Sequence, residues 1–419
     1  MFSRIQTRNF RCLKAIDQEL GAFQALVGPN ASGKTTFLDV ISLISDLMRN
    51  RGDVPETLRV RSANFADLVW MGQGDVFQLA VEAPIPPEVS QQMAIEKQAF
   101  DLVRYELEIG LLADANEIGI SHETLWLKRE SEKSIEPQRE LFPAVSADMP
   151  SIFAKSGKSM RAVITKKTDG NNNYYPEGRK SYSPSFRLGR SKSALANIPA
   201  DQESFPASTW FRDLLETGVQ KIVLNSQIIR QPSSPGLGRR FLTDGSNLPW
   251  VIEELRKDDF RYKQWLSHVR TALEDVRDII TIERPEDRHR YLLVEYASGA
   301  RVPSWLVSDG TLRLLALTIP AYLRDLQGVF LIEEPENGIH PRAIETVLQS
   351  LSSMYDSQVL VATHSTVALN QIAARDVLCF AKDKSGATDI ISGDKHPALR
   401  QWKEGQPELG VLFASGILS

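Results

Sequence analysis

Apolar positions in this chain follow two periods, and the places where one gives way to the other mark the elements. IQTRNFRCLKAIDQEL, near the start, reads as a strand, a turn and a second strand. The apolar run AFQALV at 22–27 predicts a short buried strand. TTFLDVISLISDL at 35–47 predicts a helix, with Phe37, Leu38, Ile41 and Ile44 at three- and four-residue steps. VFQLAVEA, VRYELEIGLL and GISHETLWLKRE then alternate at period two, which predicts an antiparallel meander.

The pattern weakens over about 130–207, the least regular part of the chain. It returns with STWFRDLLETGVQKIVL at 208–224, read as a helix capped by Ser208 or Thr209 and leading into a short strand. Helices are expected from about Pro249 and over FRYKQWLSHVRTALEDV. The strands DIITIERP and HRYLLVEYASG follow, then the helix after VSDGT. GVFLIEEPENGIHP and QVLVATHSTVAL each open on a buried strand, and DVLCFAKDKSGATDIIS reads as a closing hairpin.

Composition narrows the class. With 42% apolar and 24% charged residues over 419 positions, the chain fits a globular protein of one elaborated domain or two. The cysteines, Cys12 and Cys379, form no metal-binding pattern and read as reduced and buried. MFSRIQTRNF lacks the apolar core of a signal peptide and no run of 18 apolar residues follows, so a cytoplasmic protein without a membrane partner is expected. Residues 155–192 carry ten Lys/Arg against two Asp/Glu, a local +8 inside a chain of net charge -4. Tyr and Phe stand among those basic residues. The composition suits a surface that grips phosphate and stacks bases, and equally a solvated loop or a partner-docking face.

The candidate chemistry starts at Gly28-Pro-Asn-Ala-Ser-Gly-Lys34-Thr35-Thr36, which matches G-x-x-x-x-G-K-[ST] between a predicted strand and a predicted helix. Glycines let the loop wrap phosphate, and the helix start offers unpaired N–H groups. Asn30, Ala31, Ser32, Gly33, Lys34, Thr35 and Thr36 are therefore candidate ATP contacts. Lys34 is placed to reach the β/γ-phosphates and Thr35 to hold Mg²⁺. Ser308-Asp309-Gly310-Thr311 offers a hydroxyl and N–H groups at a second helix start. Glu333 and Glu334 fall at the carboxyl end of a buried strand, where Glu333 is assigned to bind Mg²⁺ and Glu334 to polarise the attacking water as general base. Thr363-His364-Ser365 ends another strand, with His364 a candidate contact for the γ-phosphate or the water. Gln73, in WMGQGDVF, reads as a turn residue or, by the resemblance named below, as a γ-phosphate and Mg²⁺ sensor. Arg8, Arg11 and Lys14 lie near the nucleotide or on an exposed strand edge.

The set RNFR at 8–11, GPNASGKTT at 28–36, LVSDGTLR at 306–313, LIEEPENGIHP at 331–341 and ATHS at 362–365 resembles the ABC/SMC-type ATPases, including RecF, Rad50, the OLD nucleases and the AAA-family ATPases of bacterial defence loci. The resemblance implies an α/β fold, an ABC-type P-loop ATPase head with an antiparallel β subdomain and a large mixed, mainly helical insertion lobe. It assigns Gly28–Thr36 as Walker A, Ser308–Gly310 as the signature motif, Glu333 and Glu334 as the end of Walker B, and His364 as the switch histidine. Glu333 stands where many relatives carry Asp. The ATPase core is expected to be split between 1–82 and 275–385. An inserted lobe over 84–274 would contain the flexible basic stretch 155–192, and 386–419 would form a short tail.

Function follows from the same likeness. In such proteins the signature motif of one subunit closes on ATP held by Walker A of the other, which implies a homo-oligomer built on an ATP-sandwiched dimer. No long heptad region separates the two halves, so an SMC-type arm is not expected. The 55 residues after His364 are too few for the nuclease domain of the OLD relatives, so no intrinsic nuclease is expected. The resulting expectation is an ATPase using Mg²⁺, switching a surface for DNA, RNA or a separately encoded effector, most naturally in anti-phage defence. A RecF-like repair ATPase and a nucleotide-gated scaffold with little turnover are the other readings.

Overall fold

The computed structural model describes residues 1–93, 100–112, 117–129, 139–146, 149–167, 170–177, 183–401 and 409–418. Among them, one sheet is antiparallel throughout. It runs edge to edge through β2 (Leu13–Glu19), β1 (Arg4–Phe10), β4 (Val76–Pro84), β5 (Leu102–Leu112), β6 (Glu117–Lys128), β7 (Met160–Lys166), β8 (Asn171–Tyr174) and β9 (Ser185–Arg187). A second sheet runs β10 (Val219–Ile222), β14 (Gly328–Glu333), β15 (Ser357–Ala362), β3 (Phe23–Val27), β16 (Val377–Lys382) and β17 (Thr388–Ser392). Its first five strands are parallel and β17 is antiparallel. A third, small sheet holds β11 (Val276–Glu283), β12 (Arg290–Tyr296) and β13 (Arg301–Pro303).

Two cores meet at the parallel sheet, and successive residues of its strands enter opposite ones, as the period of two requires. Leu26, Val329, Leu331 and Leu360 belong to one core, with α1 (Lys34–Arg49) and the inner side chains of the antiparallel sheet. Ala25, Val27, Phe330, Ile332 and Val361 belong to the other. That core also takes side chains from α6 (Leu248–Arg256), α7 (Asp259–Ala272), α8 (Asp309–Thr318) and α9 (Pro341–Ser352). Burial on both faces explains why these strands read as unbroken apolar runs. Shorter helices earlier in the chain are α2 (Val54–Arg59), α3 (Pro87–Met93), α4 (Pro206–Asp213) and α5 (Ser226–Ile229).

The expected inserted lobe over 84–274 is shared out between these layers. Its first part continues the antiparallel sheet through β5 to β9, while β10 enters the parallel sheet beside β14. Among its described residues, the stretch expected to be irregular and flexible contains three strands. There, polar side chains do the holding that apolar alternation does elsewhere. Buried Lys166 donates to Asn172 Oδ1 at 3.1 Å and to the Gly189 carbonyl at 2.6 Å. Buried Glu123 on β6 accepts from Ser193 Oγ at 2.6 Å and from the Ala194 and Leu195 N–H groups.

Two further boundaries differ from expectation. The core runs past 385, because β17 completes the parallel sheet and Thr388 Oγ1 donates to the Ser32 carbonyl at 2.9 Å. Helix α4 starts at Pro206, not at a Ser208 or Thr209 cap. Glu177 takes over the capping: its carboxylate accepts from the Ala207 N–H at 2.6 Å, the Ser208 N–H at 2.9 Å and the Ser208 hydroxyl. A cap supplied from 30 residues away leaves no local signal.

Candidate functional site

Strand register assembles the site. In the parallel sheet Glu333 stands beside Ala362, and Ala362 beside Leu26. The residues that follow each strand therefore leave the sheet at neighbouring carboxyl ends, where open α/β sheets bind their ligands. The loop from Gly28, the Glu333–Glu334 pair and His364 meet there by this geometry.

Two glycines shape the loop. A Cβ on Gly28 would lie 2.2 Å from the Phe380 carbonyl oxygen, and one on Gly33 would lie 2.5 Å from Thr388 Oγ1. Gly33 also has φ +106°, so it turns the chain into α1 in a conformation that side-chain-bearing residues disfavour. No side chain caps α1, which leaves its first N–H groups to an anion. Lys34 Nζ donates to the Gly28 carbonyl at 2.8 Å and the Pro29 carbonyl at 2.9 Å. Burial lowers its pKa to about 8, against the pull of Glu334 and Glu336.

Thr35 Oγ1 donates to Glu333 Oε2 at 2.6 Å, and Lys221 Nζ lies 2.7 Å from Glu333 Oε1. Burial pushes the Glu333 carboxyl up, but the Lys221 and Thr35 contacts outweigh it and hold the group below the usual range. Glu334 has φ 47°, an unusual conformation for a glutamate, and the sort of strain that functional loops retain. Its N–H donates to the Ala362 carbonyl at 2.8 Å, and its Oε2 accepts from Asn337 Nδ2 at 2.5 Å. Glu336 ties this loop to the next. Its Oε1 accepts from Thr363 Oγ1 at 2.9 Å and from the His364 N–H at 2.7 Å. His364 is held below its ordinary pKa by burial and then by Lys34, against Glu334 and Glu336.

These groups line one cleft of about 940 Å³. It contains Asn30 through Thr36, Arg11, Glu333, Glu334 and His364, so most residues singled out from the sequence converge. Arg11 reaches Asp39 on α1 at 3.2 Å. Gln73 does not line the cleft; Met71 and Gly72 just before it do. Ser308, Asp309 and Gly310 do not line it either. They start α8, where Ser308 Oγ accepts from the Thr311 N–H at 3.2 Å.

Several residues of the site escaped the sequence reading, among them Cys12, Lys382, Lys221 and Glu336. Cys12, expected to be a buried core thiol, lines the cleft with its Sγ 3.5 Å from Thr36 Oγ1. Lys382 lines it as well, and Lys221 and Glu336 act on the acids. Lys221 had a signal, a charge inside the apolar run VQKIVL. Glu336 had one too, as the third acid of EEPENG.

Residues 23–370 match the family described as "AAA domain, putative AbiEii toxin, Type IV TA system". The chain belongs to this family. By that match, by a short stretch of sequence and by its fold it is similar to the ABC/SMC/OLD-type P-loop ATPases. An OLD nuclease of Thermus scotoductus is 49% identical over 59 residues, 14% of this chain and 10% of that protein. The chain thus spans about a tenth of the length of that curated relative. A crystal structure of an Smc head bound to the C-winged helix domain of ScpA superposes with TM-score 0.51 at 14% identity, over 93% of this chain and 96% of that one. An Smc head with an extended coiled coil, bound to the C-terminal domain of ScpA from Pyrococcus furiosus, gives 0.49 at 12% identity over 96% and 98%. The chain shares its fold with the first of these heads, and among its described residues no helix is long and apolar enough to cross a membrane.

Proposed function

We propose that this chain binds and hydrolyses ATP with Mg²⁺, and that two copies close on the nucleotide. On this reading, closure switches a surface for DNA, RNA or a separately encoded effector, in a cytoplasmic anti-phage system. The observation that carries it is the meeting of Lys34, Thr35, Glu333, Glu334 and His364 in one cleft that excludes Ser308–Gly310. Such a site holds one half of an ABC-type active centre, so a second copy must bring the other half.

The residues present fit the implied ligands. Thr35 and Glu333 present hard oxygen donors side by side, the donor type that Mg²⁺ prefers. Ser32 Oγ is buried in the loop with no partner among the described residues, a polar atom that a phosphate oxygen can satisfy. Bound Mg²⁺ supplies charge neutralisation at the phosphate oxygens. Lys34 brings its cation to the same phosphates, desolvated and pre-placed by its own loop. Glu334 accepts the proton of the attacking water, and Asn337 holds the orientation of its carboxylate. Glu336 fixes the backbone from which His364 contacts the water or the γ-phosphate.

The likeness to an OLD nuclease supports a protein that works on or beside nucleic acid. The exposed part of the basic stretch, with Lys155, Lys158 and Lys167, is the candidate contact. Arg179 and Lys180 of that stretch lie outside the described residues.

The test is Glu334→Gln. Turnover is expected to fall by roughly 10²–10⁴-fold, the worth of a general base, while ATP binding persists and dimers accumulate with ATP. Unchanged turnover removes Glu334 from the mechanism. Dimers absent at saturating ATP remove the sandwich.

A further inference from the structure

On the reading above, the turn that starts α8 closes on a triphosphate held by a second copy. Asp309 brings a carboxylate into that turn, one residue after the Ser308 cap. Two negative groups brought together across an interface repel, and more strongly as water is excluded.

The answering charge lies far away in sequence. Arg230, which follows α5, donates from Nε to Asp309 Oδ1 at 2.8 Å, with Nη2 2.7 Å from the same oxygen. Its Nη1 donates to the Trp305 carbonyl at 3.2 Å, and its own carbonyl accepts from Ser304 Oγ at 2.9 Å. Side chain and backbone of Arg230 thus both hold the segment 304–309. Gly310 packs so tightly on the loop after Glu334 that a Cβ there would lie 2.5 Å from the Gly338 carbonyl oxygen. The turn is held by both Arg230 and the acid loop. Arg230 itself does not line the Lys34 cleft.

We propose that Arg230 is a positioning residue for closure of the two heads. It cancels the charge of Asp309 and sets the 304–310 turn, so that the turn can approach the partner's triphosphate. This rests on the sandwich reading and adds to it a residue outside every motif.

The experiment titrates dimer formation against ATP by analytical ultracentrifugation in the full-length Glu334→Gln protein. Arg230→Gln is expected to raise the protein concentration for half-dimerisation at least about tenfold, the scale of an uncancelled like-charge contact. Binding of a fluorescent ATP analogue to the monomer is expected to stay at the parent's affinity, which serves as the folding control. Arg230→Gln combined with Asp309→Asn is expected to return dimerisation to within about threefold of the parent, because neither charge is then left alone. Asp309→Asn alone is expected to dimerise at least as well as the parent. Normal dimerisation by Arg230→Gln, no recovery in the double variant, or a weakened Asp309→Asn each overturn the proposal. A parent that stays monomeric at saturating ATP sinks the sandwich itself, and the role of Arg230 with it.

Discussion

The hydroxyl of Thr35 donates to the Glu333 carboxylate at 2.6 Å, joining residues 298 positions apart. The glutamate has both oxygens engaged, one by Thr35 and the other by Lys221. The extra methylene relative to aspartate is taken up in this way: Lys221 holds the longer side chain so that Oε2 meets the loop. Thr35→Val keeps the shape and removes the oxygen. The Mg²⁺ concentration that half-supports binding of a fluorescent ATP analogue is expected to rise about tenfold or more. An unmoved Mg²⁺ dependence takes Thr35 out of the metal site.

The loop glycines separate conformational from steric demand. Gly28→Ala places a methyl group 2.2 Å from a backbone oxygen of β16, which cannot move without shifting a central strand. Nucleotide binding is expected to be lost and the unfolding midpoint to fall. Gly74 has φ +98°, and the position a Cβ would take there has nothing within 4 Å. Gly74→Ala therefore meets only the backbone preference, about 1–2 kcal/mol. Denaturant unfolding and nucleotide binding, measured side by side, check both. Equal behaviour of the two variants contradicts the steric account.

How much of this was open to sequence reading depended on where each residue found its partner. The phosphate loop, the acidic strand end and the histidine strand end carry local chemistry in a fixed order, and the cleft contains all three. Strands buried on both faces were legible as apolar runs. By contrast, β7 to β9 are tied by Lys166 and Asn172 and the segment after them by Glu123, polar side chains that disguise burial as solvation. The partners of Glu177 and Arg230 lie 31 and 79 positions away, too far for any local pattern. Gln73 missed the cleft because a turn of two positive-φ residues, Met71 and Gly72, sets Met71 and Gly72 at its edge instead.

Glu336 is expected to matter for rate and not for affinity. It holds the Thr363 hydroxyl and the His364 N–H, and touches neither Lys34 nor Thr35. Glu336→Ala frees the histidine loop, so kcat is expected to fall about tenfold or more while nucleotide Kd stays within about twofold. Glu336→Gln keeps an acceptor oxygen and is expected to lie between the two. A parallel loss of affinity contradicts a role confined to His364.

The basic stretch makes a prediction about salt. Lys166 and Lys192 are committed inside the fold, the first to Asn172 and Gly189 and the second to Asp53 at 2.9 Å. Lys155, Lys158 and Lys167 are exposed. Reversing these three to Glu is expected to weaken binding to a DNA or RNA duplex and to flatten its dependence on salt, by about one unit of slope per lost phosphate contact. The same reversal at Lys192 breaks the pair with Asp53 and is expected to act on stability. An unchanged salt slope in the triple variant assigns the stretch to a protein partner.

Glu177 links pH to stability through a single buried cap. Burial raises its pKa to about 7, against the Ser208 hydroxyl and the Ala207 and Ser208 N–H groups, which favour the charged form. The unfolded chain releases the same proton near 4.5, the ordinary value for this side chain. Between those values the folded state binds the extra proton, so its stability declines as pH rises from about 4.5 to about 7 and is level above. The whole change is about 3 kcal/mol for a shift of this size. Glu177→Gln keeps an acceptor for α4 and cannot ionise. Its thermal unfolding is expected to lose this part of the pH dependence and to stay level between about pH 4.5 and about pH 7. Glu177→Ala strips the cap and leaves buried N–H groups without a partner, which costs about 1–3 kcal/mol. If Glu177→Gln retains the full pH slope across this window, the proton resides elsewhere and the cap is already ionised in the acid range.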